Sequence, residues 1–161
     1  MRKELKEILR VNREQLEASQ KDLKAIFNIM FRVRENILCE TNDGFRIQRY
    51  TYGQMHQRIC RAAGALYAKI GATHEYVALE MENSPDWIVA FWAILMSGNK
   101  PYLVNMRYPE SLTCGILKTL KTEYVLCSAR TDLPGTAITM AELEGDHPPE
   151  QQDNRPPVPP S

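Results

Sequence analysis

The stretch that decides the reading of this chain is Asn83-Ser84-Pro85-Asp86-Trp87-Ile88-Val89-Ala90-Phe91-Trp92-Ala93-Ile94-Leu95-Met96-Ser97-Gly98. Ser84 is a good N-cap, because its hydroxyl can accept one of the amide hydrogens that a first helical turn leaves unpaired. Pro85 suits the first helical position, where a missing N–H costs nothing and φ is already helical. Asp86 places a negative charge at the positive end of the helix dipole, and Gly98 supplies a stop that tolerates φ > 0. Between these signals Trp87 to Met96 is an unbroken run of ten apolar residues. A helix apolar on every face has no side for water and must be buried on most sides. It is far too short to span a bilayer, which takes about 20 apolar residues. The stretch therefore predicts a central core helix, packed on a sheet and covered by something else.

Downstream and upstream of it the pattern alternates. Tyr76 to Met81 is a short β-rich run, Lys100 to Val104 a second, and Tyr124 to Cys127 a third. Pro109 can open a helix between the last two, with Leu112, Ile116, Leu117 and Leu120 on one face. Strand–helix–strand–helix–strand with short links predicts an α/β fold whose parallel sheet is built by right-handed crossovers. Pro101 is tolerable near the start of its strand, especially if one side there is unpaired. Before this unit, Thr51 opens a helix whose Gln54 completes a capping box. Met55, Ile59, Ala62, Ala63, Leu66, Tyr67 and Ile70 form its apolar stripe, and Gly71 marks its end. Asn36 to Tyr50 reads as a hairpin: Asn42-Asp43-Gly44 provides the turn, and Phe45 to Tyr50 alternates large apolar with polar residues as a half-buried strand does.

Residues 1–34 contain no Gly or Pro and read as helix, either one amphipathic element or two broken near Ser19 to Asp22. Leu9, Leu16, Leu23 and Met30 lie seven apart, but Asn12 and Ser19 interrupt the seam that a dimerisation zipper would need. Gly145 to Ser161 carries six prolines among polar residues, with Val158 as its one large aliphatic side chain. Such a segment cannot bury enough apolar surface to order itself. The expected organisation is a helical segment (1–34), an α/β unit (35–144) and a Pro-rich disordered tail (145–161).

Composition narrows the function classes. With 161 residues, 43% of them hydrophobic, the chain can build one modest core. Twenty basic residues balance twenty acidic ones, which gives no basic surface for nucleic acid or anionic membrane. No secretory or membrane-spanning segment is present, and the reading is cytoplasmic. Cys39, Cys60, Cys114 and Cys127 show no metal-ligand spacing and read as buried, reduced thiols. The P-loop, dinucleotide, nucleophile-elbow and zincin signatures are all absent from the sequence. Glu80 and Glu82, at the carboxyl end of the first parallel strand, stand where open α/β sheets place ligands, and two carboxylates there can perform acid–base work or simply be solvated. Arg107, after the second strand, is a candidate anion contact or a loop anchor. His56 has no second ligand or nucleophile near it in sequence and reads as a boundary residue.

Thr51-Tyr52 before an amphipathic helix, then Y-V-A-L-E-M-E-N-S-P-D-W-I-V-A-F-W-A-I-L-M-S-G, then P-Y-L-V-N-M-R-Y-P-E-S-L, resembles the amino-terminal part of the AMP-forming adenylating enzymes. These are the acyl- and aryl-CoA synthetases, the luciferases and the adenylation domains of peptide synthetases. The resemblance covers roughly residues 36–130 and is most specific at Asn83 to Trp87; Asn99-Lys100 departs from the small residues usual there. It implies an incomplete N-terminal subdomain of the adenylating-enzyme fold. It also implies ATP-dependent formation of an acyl-adenylate and transfer to coenzyme A in the full-length family, with a carboxylic acid, ATP, Mg and CoA as ligands, in fatty-acid metabolism among other roles. The phosphate loop, the later nucleotide motifs and the domain with the catalytic lysine are expected beyond residue 161. On this reading no catalytic, cofactor-binding or metal-binding residue is carried over, the chain needs no cofactor of its own, and it is inactive alone, a truncated ligase. The alternative is a non-catalytic interaction module that binds a protein partner through its helical N-terminus, with self-association through exposed apolar surface as a further expectation. A small flavodoxin-like nucleotide binder fits the strand–helix alternation but lacks a phosphate cradle.

Overall fold

The computed structural model describes residues 2–19, 22–42 and 44–145; the Pro-rich segment 146–161 lies outside the described residues. The order of elements is α1 (Arg2–Ala18), α2 (Leu23–Met30), β1 (Ile37–Asn42), β2 (Ile47–Thr51), α3 (Tyr52–Ile70), β3 (Tyr76–Glu80), α4 (Pro85–Met96), β4 (Lys100–Leu103), α5 (Glu110–Thr119), β5 (Tyr124–Cys127), β6 (Thr136–Thr139) and α6 (Met140–Glu144).

The central helix forms as its caps dictate. Ser84 Oγ accepts a hydrogen bond from the Trp87 amide at 3.1 Å, Asp86 sits in the first turn, and Gly98 follows at φ +85°. None of its apolar residues is exposed. Val89, Ala90, Trp92, Ala93 and Ile94 are buried against α3, the sheet and α2. Phe27 and Phe31 of α2 pack on Trp92 with ring centroids 5.1 and 6.1 Å away. The covering layer that the apolar run demands is thus α3 together with α2.

The sheet is parallel throughout, in the order β4-β3-β5-β6. Period-two alternation splits each strand between two cores: Val77 and Leu79 of β3 and Leu126 of β5 face α3, α4 and α6, whereas Ala78 and Val125 face Leu117 of α5. The sequence reading contains three of these strands. The fourth, β6, joins β5 through the irregular segment from Ser128 to Gly135 instead of through a helix, and α6 folds back from it onto α3. Thr139 and Glu142 form a capping box that starts α6.

Three further expectations are refined. The N-terminal region is two helices: Asp22 accepts from the Ala25 amide at 2.7 Å and caps a separate α2. This break ends the seven-residue seam, and Leu5 and Leu9 of α1 are 57% and 58% exposed. The hairpin forms, with the Gly44 amide bonded to Asn42 Oδ1 at 2.8 Å and Gly44 at φ +91°. However, the strand after the turn is not half-buried along its length, since Phe45 is 97% exposed and Ile47 is exposed too. A two-stranded ribbon whose main support among the described residues is α3 has too little surface beneath it to cover both. Finally, α5 turns Thr113 and Leu117 to the sheet and leaves Leu112 exposed. The stripe through Leu112 and Ile116 lies about 100° around the helix from Thr113 and Leu117, and only one of the two can face the strands.

Candidate functional site

Strand order locates the site. After β3 the chain passes through α4 to β4 on one side; after β4 it passes through α5, on the other face, to β5 on the opposite side of β3. The connections leaving β3 and β5 diverge, and the crevice at the carboxyl ends of such neighbours is where open α/β sheets bind ligands. A cleft of about 460 Å³ opens there, lined by Glu80, Met81, Glu82, Ser84, Asp86, Met106, Ser128 and Arg130.

Each wall follows from a local element. Glu80 closes β3, in register with Cys127 of β5. Its Oε2 is buried with no hydrogen-bond partner among the described residues. Glu82 is exposed on the rim. Ser84 and Asp86 come from the first turn of α4, where cap and dipole favour them. Asp86 is not a free carboxylate: its Oδ1 accepts from Arg58 Nη2 at 2.6 Å. The same guanidinium holds both oxygens of Glu144, at 2.6 and 2.7 Å. Burial disfavours the Arg58 charge, but its hydrogen bonds to Glu144 and then to Asp86 outweigh this and push its pKa above the usual arginine range. Behind the cleft, Cys127 Sγ–H points to the Ile138 carbonyl at 3.8 Å. Burial pushes this thiol up, and the Glu80 and Glu142 charges push it the same way.

Both glutamates named from the sequence therefore lie in the cleft. Arg107 does not: it is exposed, and its backbone amide is bonded to Asn105 Oδ1 at 3.0 Å. The arginine of the cleft is Arg130, with Ser128 beside it. Sequence reasoning passed over both, although they directly follow the Y-V-L-C strand. Their relevance depends on β5 lying next to β3, which is a matter of strand order.

Among the described residues the lining holds three carboxylates, one of them paired with Arg58, against the guanidinium of Arg130, and it holds no glycine. The cleft is thus suited to N–H and O–H groups and repels phosphate oxygens. Among the described residues no group of three or more His, Cys, Asp and Glu side chains is placed to hold a metal ion. His56 stacks on Phe27 at 5.1 Å and lies 3.7 Å from the Cys60 thiol, away from the cleft lining. Burial, followed by the charge of Arg34, lowers its pKa from 6.5.

Comparison with known proteins agrees with this architecture. No curated protein matches the chain. Among solved structures, it is similar to the O-succinylbenzoate coenzyme A synthetase MenE from Bacillus subtilis in complex with AMP, at 17% identity and a TM-score of 0.65 over 75% of this chain and 32% of that one. It is also similar to the N-terminal subdomain of NpsA from Klebsiella oxytoca in complex with 3-hydroxyanthranilyl-AMSN, at 19% identity and a TM-score of 0.65 over 79% of this chain and 34% of that one. A fused adenylation–PCP di-domain, NpsA-ThdA from the same organism, aligns at 20% identity and a TM-score of 0.56, covering 62% of this chain and 20% of its own. The chain spans about a third of the first two and less of the third. Residues 31–158, well over half of the sequence, match the family described as AMP-binding enzyme. With that match and with the parallel sheet, hairpin and helices of an adenylating enzyme's N-terminal subdomain in place, the chain belongs to the AMP-binding enzyme family.

Proposed function

We propose that residues 35–144 supply the opening part of an adenylate-forming ligase. This part is a folded scaffold for chemistry carried by polypeptide outside this sequence: ATP-dependent activation of a carboxylic acid to its acyl-adenylate, then transfer to coenzyme A. On this reading Met1 to Ser161 contains neither the ATP-binding nor the catalytic motifs, and residues 1–34 and 145–161 are appendages to the scaffold. The work is that of a cytoplasmic ligase acting on fatty or aryl acids. The observation that carries the reading is the combination of the family match over residues 31–158 with a strand-end cleft whose walls are mainly carboxylate and hydroxyl. Such walls fit a neighbouring scaffold region better than a seat for ATP phosphates.

ATP–pyrophosphate exchange with the purified chain and a panel of fatty and aryl acids tests this. No exchange is expected above the rate without acid; acid-dependent exchange would refute the claim that the motifs are missing.

The second reading is a non-catalytic module that binds a protein partner through its helical N-terminus. Leu5 and Leu9 support it, exposed on a helix whose neighbour is α2. An apolar groove of about 280 Å³ on α5, lined by Leu112, Gly115, Ile116 and Leu120 among others, supports self-association of the isolated chain. Light scattering coupled to size exclusion separates the two: a monomer with a cooperative melt favours the module, and soluble aggregates favour an uncovered scaffold.

A further inference from the structure

The last described unit, Thr136–Glu144, is built unlike the rest of the domain. Among the described residues its strand pairs along one edge, with β5. Its helix is five residues long, too short to hold without tertiary support. It is bounded by two glycines in the left-handed half of backbone space, Gly135 at φ +127° and Gly145 at φ +73°. At Gly135 an added Cβ would lie 2.9 Å from the Glu123 carbonyl oxygen, so glycine is required on steric grounds as well. Ile138, Met140 and Leu143 insert into the core beside α3.

What fastens the outer end of this unit is charge. Arg58, in the second turn of α3, grips Glu144 through Nε and Nη2 at 2.6 and 2.7 Å, and both side chains are only 16% exposed. Lys69, further along α3, reaches Glu142 at 3.4 Å in a more exposed pair. Arg58 Nη2 also holds Asp86 of the cleft wall at 2.6 Å. A bidentate, mostly buried ion pair is strong when made and leaves a costly lone charge when broken.

We propose that Thr136–Glu144 is a strap that opens and closes as one unit between Gly135 and Gly145, with Arg58 as its latch. Closed, it seats Met140 and Leu143 against α3 and covers that face of the helix. Open, it releases Glu144, uncovers that face and leaves Asp86 as the sole acceptor of the pair on Arg58. Because one guanidinium serves both carboxylates, the state of the strap is coupled to the acidic wall of the cleft.

Hydrogen–deuterium exchange by mass spectrometry on the full chain tests the inference. In the wild type, amides of residues 137–145 exchange faster than those of Val77–Leu79 and Val125–Leu126. Arg58→Met raises exchange in the strap by roughly 10- to 100-fold, the range for losing a hydrogen bond to a charged group, and leaves β3 and β5 unchanged. Glu144→Gln, which keeps volume and the Arg58–Asp86 bond, gives a smaller rise confined to the same residues, so the test survives if Arg58→Met fails to fold. Equal protection of strap and core in the wild type overturns the inference. So does a rise spread uniformly over the protein, or no rise in either variant.

Discussion

Asn99 is 4% exposed and uses every hydrogen-bonding position of its amide. Its Oδ1 accepts from the Thr73 amide at 3.0 Å and from Thr73 Oγ1 at 2.7 Å. Its Nδ2 donates to the Gly71 carbonyl at 2.9 Å and to Ser97 Oγ at 3.1 Å. One side chain thereby joins the end of α3, the link into β3 and the end of α4. Asn99→Ala removes four bonds, each contributing about 1 kcal/mol net, and leaves the Gly71 carbonyl and Thr73 amide without partners. Water entering beside the exposed Thr73 recovers part of this, and the expected loss is about 3 kcal/mol. For a domain of this size that is a fall in Tm of about 10 °C. Asn99→Asp keeps both bonds to Oδ1 but turns a carboxylate oxygen toward the Gly71 carbonyl, and is expected to cost at least as much at pH 7. Thr73→Val, which loses a single hydroxyl bond, is expected to cost about 1 kcal/mol. Urea unfolding followed by the fluorescence of Trp87 and Trp92 measures all three, with the m-value held constant as the check that stability alone has changed. A loss below 1 kcal/mol for Asn99→Ala would refute the argument, since it would mean that the four short contacts contribute no more than solvent does.

Gly98 stands at φ +85°, with an added Cβ only 2.7 Å from Ala72 Cβ; Gly98→Ala is expected to destabilise by about 2–3 kcal/mol in the same assay. Ser84→Ala, which deletes the cap on the Trp87 amide, is expected to cost about 1 kcal/mol, and Ser84→Asp to restore most of it. His56 is held below its ordinary pKa of 6.5 by burial and then by Arg34. As pH falls from 6.5 toward the depressed native value, the unfolded chain takes up a proton that the native imidazole refuses. Stability from this group is therefore complete above 6.5 and declines on acidification. The difference in unfolding free energy between the wild type and His56→Gln, measured at several pH values, should shrink as pH falls below 6.5; a difference flat across that window would contradict the assignment.

The sequence alone determined much about this protein, because much of it is local. The caps at Ser84 and Thr51, the stops at Gly71 and Gly98, and the apolar stripes of α3 and α4 are contests within a few residues, and each resolves as its own chemistry directs. The resemblance carried by Asn83 to Trp87 pointed to the same family as the match over residues 31–158. Where the outcome depended on distant surfaces, local pattern was insufficient. Phe45 alternates correctly and is nonetheless exposed, because local alternation does not decide where the core lies; Leu112 lost the sheet to Leu117. The four-residue β6, without a helix to announce it, needed the free edge of β5 to become a strand at all. Glu80 and Glu82 were legible as strand-end carboxylates, but Ser128 and Arg130 joined them only when β5 took its place beside β3, and Arg107 stayed outside the cleft lining. Asn99, an oddity in the sequence, acquired its meaning when three chain segments met around its amide. Hydrogen bonds and apolar periodicity over one or two turns are encoded where they act, whereas strand order and the contacts across it come from the one folded arrangement that buries all of those faces together.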